Sequence, residues 1–160
     1  MSTGPWLTAA QLRAWMRFVA VVELLPGVLD TQLQRDAQLS HFEYFVMAML
    51  SEAPEKTLRM TDLADHTNAT LPRLSHVVAR LEKRGLVART RCAEDRRATN
   101  ATLTDAGWEM IQASAPGHVR NVRDNVIDLL TDEQVGQLEA ISEALLQKLD
   151  PANRMHMRSE

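Results

Sequence analysis

Residues 70–107 read TLPRLSHVVARLEKRGLVARTRCAEDRRATNATLTDAG, and the order of signals within them decides the architecture. Leu74, Val77, Val78 and Leu81 fall at the spacing of one buried helix face. Arg73, His76, Arg80, Lys83 and Arg84 fall on an adjacent face. Gly85 closes this helix, because the residue after a C-cap favours a left-handed backbone. Two short strands are expected next, over 86–92 and 98–103, with Asp95-Arg96-Arg97 in the turn between them. Leu103 then returns to the core, and Thr104 is placed to cap a following helix.

Working outward, 62–67 reads as a short helix with Leu63 and Ala64 as packing residues. Asn68-Ala69-Thr70 is a tight connector. Short helix, connector, longer helix and hairpin make a winged helix-turn-helix. In that arrangement the first turn of the second helix meets base edges in a DNA groove. Thr70, Pro72, Arg73, Ser75 and His76 are the residues so placed. Arginine pairs bidentately with guanine, whereas serine and threonine discriminate less. Arg80 suits phosphates. Arg96 and Arg97 at the wing present planar donor forks to a narrow, negative minor groove, and Asp95 is expected to orient one guanidinium.

Charge distribution supports this reading. Residues 70–100 hold eight Lys/Arg against three Asp/Glu, a net of +5, so the remainder of a chain of overall charge −3 sums to −8. A basic island on an acidic body is the electrostatic footprint of a phosphate-binding surface. At 160 residues and 45% apolar composition the chain is long enough for a packed core. No apolar run approaches the ~20 residues that span a membrane, and no secretory leader is expected at Met1–Pro5. The single cysteine, Cys92, excludes an internal disulfide and suits the reducing cytoplasm.

Capping boxes are expected at Thr8-x-x-Gln11, Ser40-x-x-Glu43 and Thr131-x-x-Gln134, with Thr61 as a further N-cap. The remaining helices are placed at 8–35, 41–52, 71–84, 105–130 and 132–149, with a short strand at Thr57–Arg59. Pro26-Gly27 and Pro116-Gly117 are expected to break or kink the first and fifth helices.

The chain resembles the MarR family of bacterial transcriptional regulators. The resemblance runs through Leu63-Ala64, Leu74-Ser75, Leu81-Glu82-Lys83-Arg84-Gly85-Leu86-Val87, Arg89, Asp95-Arg96-Arg97-Ala98 and Leu103-Thr104-x-x-Gly107. His76 and Pro72 depart from the family pattern and leave the operator sequence open. The resemblance implies a mainly α fold with a small β-hairpin wing. It also implies a homodimer whose lobe is built from N- and C-terminal helices and which reads a pseudo-palindromic operator in double-stranded DNA. The expected division is 1–38 and 107–150 for the dimerisation segments, 39–106 for the DNA-binding domain and 151–160 for a frayed tail. Apolar stripes at Leu12, Trp15, Phe18, Val19 and Val22, and at Leu138, Ile141, Leu145 and Leu149, fit terminal arms that pack on a twin.

Family members often sense a small aromatic or phenolic acid between the two lobes. Trp15, Phe18, His41, Phe42, Phe45 and Trp108 are the expected walls of such a site. Repression is likewise implied by the resemblance alone. The alternatives are a regulator without a small-molecule inducer and a winged helix that binds protein. No cofactor is expected. The histidines are scattered and show no metal-ligand spacing, and Met155-His156-Met157 reads as part of the tail. Cys92 lies beside Arg91, which would favour its thiolate. No Gly-rich phosphate loop or nucleophile motif points to an enzyme.

Overall fold

Hydroxyl side chains set the helix starts. Thr8, Ser40 and Thr131 each accept the backbone N–H three residues on, and Gln11, Glu43 and Gln134 each accept the N–H of the cap in return. A computed structural model describes residues 4–155 of the chain. The helices are α1 Ala9–Ala37, α2 His41–Glu52, α3 Met60–His66, α4 Leu71–Lys83, α5 Asp105–Asn125 and α6 Asp132–Leu149. The strands are β1 Thr57–Arg59, β2 Val87–Arg91 and β3 Thr99–Leu103, in the antiparallel order β1-β3-β2. Thr57 faces Thr102 across the sheet, their hydroxyls 2.8 Å apart, and Arg91 faces Thr99 at the other end. The chain is thus mainly helical, with a small winged sheet.

One apolar core fills the space between α2, α3, α4 and the sheet. Val46, Met47, Leu50, Leu63, Leu74, Val78, Leu81 and Ala101 are fully buried there. A fully buried leucine contributes about 2 kcal/mol. The four apolar residues assigned to one face of α4 are all in this core. At the end of α4, Gly85 has φ +70°. Its N–H donates to the Glu82 carbonyl, and the Leu86 N–H to the Leu81 carbonyl, so the helix ends in a Schellman turn. Gly107 meets a different demand: a Cβ there would stand 2.1 Å from the Leu86 carbonyl oxygen. The start of α5 therefore lies directly against the root of the wing.

Several boundaries differ from expectation. α3 begins at Met60 with no side-chain cap, so Thr61 lies inside the helix and caps nothing. Both prolines stand within continuous helices. Each removes one hydrogen bond, and the helical bonds on either side carry the chain through. α5 stops at Asn125 because Val126 leaves the helical region at φ −135°, and a separate 3-10 turn follows over Ile127–Leu129. The segment expected to fray is in part tied down. Asp150 accepts the N–H groups of Arg154 and Met155, and His66 Nδ1 lies 2.8 Å from the Arg154 carbonyl oxygen. His156 and Met157, and the start Met1–Thr3, lie outside the described residues.

Candidate nucleic-acid interface

Thr70 opens α4 by accepting the Arg73 N–H at 3.4 Å, and Pro72 sits in the first turn, where its missing N–H has no partner to lose. Of the residues expected to read bases, Thr70, Pro72, Arg73 and His76 are exposed there and Ser75 is half-buried. Two clefts flank this turn. One, about 630 Å³, is lined by Pro72, Arg73, His76 and Arg80 together with Asp30, Ser40 and Phe42. The other, about 200 Å³, joins Leu71 and Ser75 to Arg89, Arg97 and Thr99 of the wing. The exposed turn of α4 therefore stands as a ridge beside a cationic hairpin, the shape that a duplex groove and its neighbouring backbone require.

The eight basic side chains do not all serve that surface. Arg80 binds Glu43 through Nε and Nη2, both at 3.1 Å. The Glu43 side chain is only 9% exposed, so Arg80 first of all neutralises a nearly buried carboxylate. Arg84 donates to the Gln38 carbonyl at 2.7 Å and the Ala37 carbonyl at 3.3 Å, fastening the end of α4 to the end of α1. Arg89 forms a two-point pair with Glu82, at 3.1 and 2.8 Å. The Arg89 side chain, then its backbone N–H, holds the Glu82 carboxyl below its usual range. Arg73, Lys83, Arg91, Arg96 and Arg97 remain exposed and without a carboxylate partner among the described residues. The Arg73 guanidinium carbon lies 4.2 Å from the centroid of the Phe42 ring, a cation–π contact that holds it at the ridge.

At the wing tip the expected role of Asp95 is corrected. Its carboxylate accepts the backbone N–H of Arg97 at 3.0 Å, and its carbonyl accepts the Ala98 N–H at 2.9 Å. Asp95 shapes the turn and leaves both guanidinium groups unbound. Aspartate so often bonds the backbone two residues on that the local sequence already held this signal. Cys92 is buried at the base of the turn. Its neighbour is Arg59, whose Nη2 lies 3.8 Å from the sulfur, where Arg91 was expected. Backbone N–H groups of Glu94 and Asp95 hold the thiol below its ordinary value.

The six expected ligand-site residues make several separate contacts. Trp15 and Phe18 lie 6.5 Å apart on the exposed side of α1. Phe42 packs under Arg73, and Trp108 lies under the Lys56 ammonium at 4.4 Å. Phe45 is half-buried. His41 stacks at 6.0 Å on His118, which also meets Tyr44 at 4.6 Å. Burial holds both imidazoles below their ordinary value. Sequence reading missed this pairing because 77 positions separate the two histidines. No group of three or more metal-ligating side chains occurs among the described residues. No helix there is long and apolar enough to cross a membrane.

A short helix, a tight connector, an exposed basic ridge and an antiparallel wing define a winged helix-turn-helix protein. The MarR family profile matches residues 39–99. Sco3205, a MarR family transcriptional regulator from Streptomyces coelicolor solved in complex with DNA, superimposes with a TM-score of 0.88 at 44% identity. That match covers 92% of this chain and 96% of the other. AbsC, a MarR family regulator from the same organism, gives 0.86 at 36% identity over 91% and 98% of the two chains. The transcriptional repressor MdtR of Bacillus subtilis is 25% identical over 116 residues, 72% of this chain and 73% of its own. The chain belongs to the MarR family: it is a DNA-binding transcription regulator and not an enzyme.

Proposed function

We propose that the chain is a homodimeric cytoplasmic repressor that reads a pseudo-palindromic operator in double-stranded DNA. The observation that carries this reading is the exposed first turn of α4, with Arg73 beside a wing whose Arg96 and Arg97 have no carboxylate partner among the described residues. Thr70, Pro72, Arg73, Ser75 and His76 face base edges. Arg96 and Arg97 take the adjacent minor groove or its phosphates. Arg80, half-exposed behind its pair with Glu43, steadies the ridge and adds to its positive field. The helices within 1–38 and 107–150 form the dimer lobe. Repression is supported by likeness to MdtR.

Binding-site selection on random duplex at fixed salt tests this. The expected product is an inverted repeat whose half-sites lie about one duplex turn apart, roughly 34–36 Å. Arg73→Ala should weaken binding to that site by about 1–3 kcal/mol and relax one base position. Failure to enrich any sequence would overturn the reading and leave a protein-binding wing in its place.

Release of the operator by a small aromatic or phenolic ligand is the first reading of regulation. The second has no small-molecule inducer, and is favoured by the engagement of two expected walls, Phe42 and Trp108, with Arg73 and Lys56. A gel-shift screen of aromatic and phenolic acids separates the two. Release of operator by any compound supports the inducer, and retention with all of them supports the second reading.

A further inference from the structure

The cleft between α4 and the wing is lined by an arginine that the base-reading and wing assignments leave out. Arg59 ends β1 and is exposed, yet it lines the same cavity of about 200 Å³ as Ser75, Arg89, Arg97 and Thr99. No Asp or Glu lines that cavity. Arg89 is neutralised by Glu82 behind it. Arg59 and Arg97 have no carboxylate partner among the described residues. The side-chain contact of Arg59 is to Cys92 Sγ at 3.8 Å, and a thiol sulfur is a weak acceptor. Two guanidinium groups without counter-charge, with the Ser75 and Thr99 hydroxyls beside them, suit a tetrahedral oxyanion. Arg59 also lines a second cleft, with Cys92, Asp62 and Glu94, whose two carboxylates repel such a group. Of the two clefts that Arg59 lines, the one beside α4 has no carboxylate in its lining and is the one that suits an anion.

We propose that this cleft seats a backbone phosphate of double-stranded DNA, held by Arg59 and Arg97. The proposal rests on the DNA-reading assignment above, since a strand engaged by both the α4 ridge and the wing must cross the gap between them. Arg59 positions the duplex and carries no sequence information, because a phosphate is the same at every base pair.

The test is duplex binding by fluorescence anisotropy over a salt series, using the selected operator and one unrelated duplex of equal length. Arg59→Gln should weaken binding to both by the same factor, roughly tenfold. It should also lower the slope of log affinity against log salt by about 0.9 for each cleft engaged. Arg59→Lys should restore most of the slope. Cys92→Ser removes the sulfur contact and keeps the charge, so it should match the parent. An unchanged slope in Arg59→Gln, or an equal loss in Cys92→Ser, would overturn the phosphate seat. Inorganic phosphate that competes with duplex no better than chloride at equal ionic strength fits a seat assembled for the polymer. Stronger competition would mark a free-anion site and overturn the assignment to DNA. A parent with no preferred duplex sequence would instead sink the regulator reading itself, which makes the two failures distinguishable.

Discussion

The winged module and the terminal arms answer the same problem in opposite ways. Between Leu39 and Ile111 the apolar residues close on one another, and Leu74, Val78 and Leu81 have no accessible surface. In α6 no residue is buried, and Ile141 and Leu149 are 57% and 73% exposed. α1 buries only Gln32 and Leu33 over 29 residues, while Trp15, Met16, Val21 and Leu24 stay open. A helix with an apolar stripe and no partner is not a finished structure. One region folds against itself, and the other leaves apolar surface open, which the proposed second copy of the chain would cover.

The sharpest way to break the contrast is in the core. Leu81→Ala should cost about 2–5 kcal/mol of unfolding free energy in chemical denaturation, since the cavity has no route to solvent. The exposed counterpart, Ile141→Glu, should shift sedimentation from dimer to monomer and leave the far-ultraviolet dichroism of the arms in the dimer range only at high protein concentration. A variant that remains dimeric would place the subunit contact elsewhere. Thr104→Ala should cost about 1 kcal/mol. That side chain accepts the Gly107 N–H at 3.0 Å and donates to the Gly85 carbonyl at 2.6 Å, so it ties the start of α5 to the turn that ends α4.

The smallest effect concerns pH at the seam between the two regions. Burial lowers the His41 and His118 imidazoles below 6.5, with Asp30 pulling His41 back up and His41 pushing His118 further down. The unfolded chain then binds more protons than the folded one as pH falls through 6.5, so stability is present above that point and declines below it. Thermal melts between about pH 7.5 and 5.5 should show a falling midpoint, and His118→Gln should flatten the trend.

The sequence revealed most about what is decided locally. The capping boxes at Thr8, Ser40 and Thr131, the buried face of α4 and the glycine at 85 each depend on residues within one turn, and each occurs where the spacing put it. The arginines divided along the same line. Nothing near Arg84 in sequence announces the carbonyls of Ala37 and Gln38, and nothing near Arg80 announces Glu43. A charge stripe shows which side chains are cationic, while the fold decides which are already engaged. Arg59 was overlooked for the converse reason: it stands alone at a strand end, and only the pairing of β1 with β3 carries it to the wing.

The bond from Arg84 to the last carbonyls of α1 has a mechanical consequence. It ties the end of α4 to the end of the long arm α1 and so opposes their separate movement. In the proposed twofold assembly the gap between the two α4 helices would then follow how the arms cross more than the slack of any loop. An operator with one base pair too many between its halves would then have to stretch the Arg84 fastening in each copy, or bend itself, to be read.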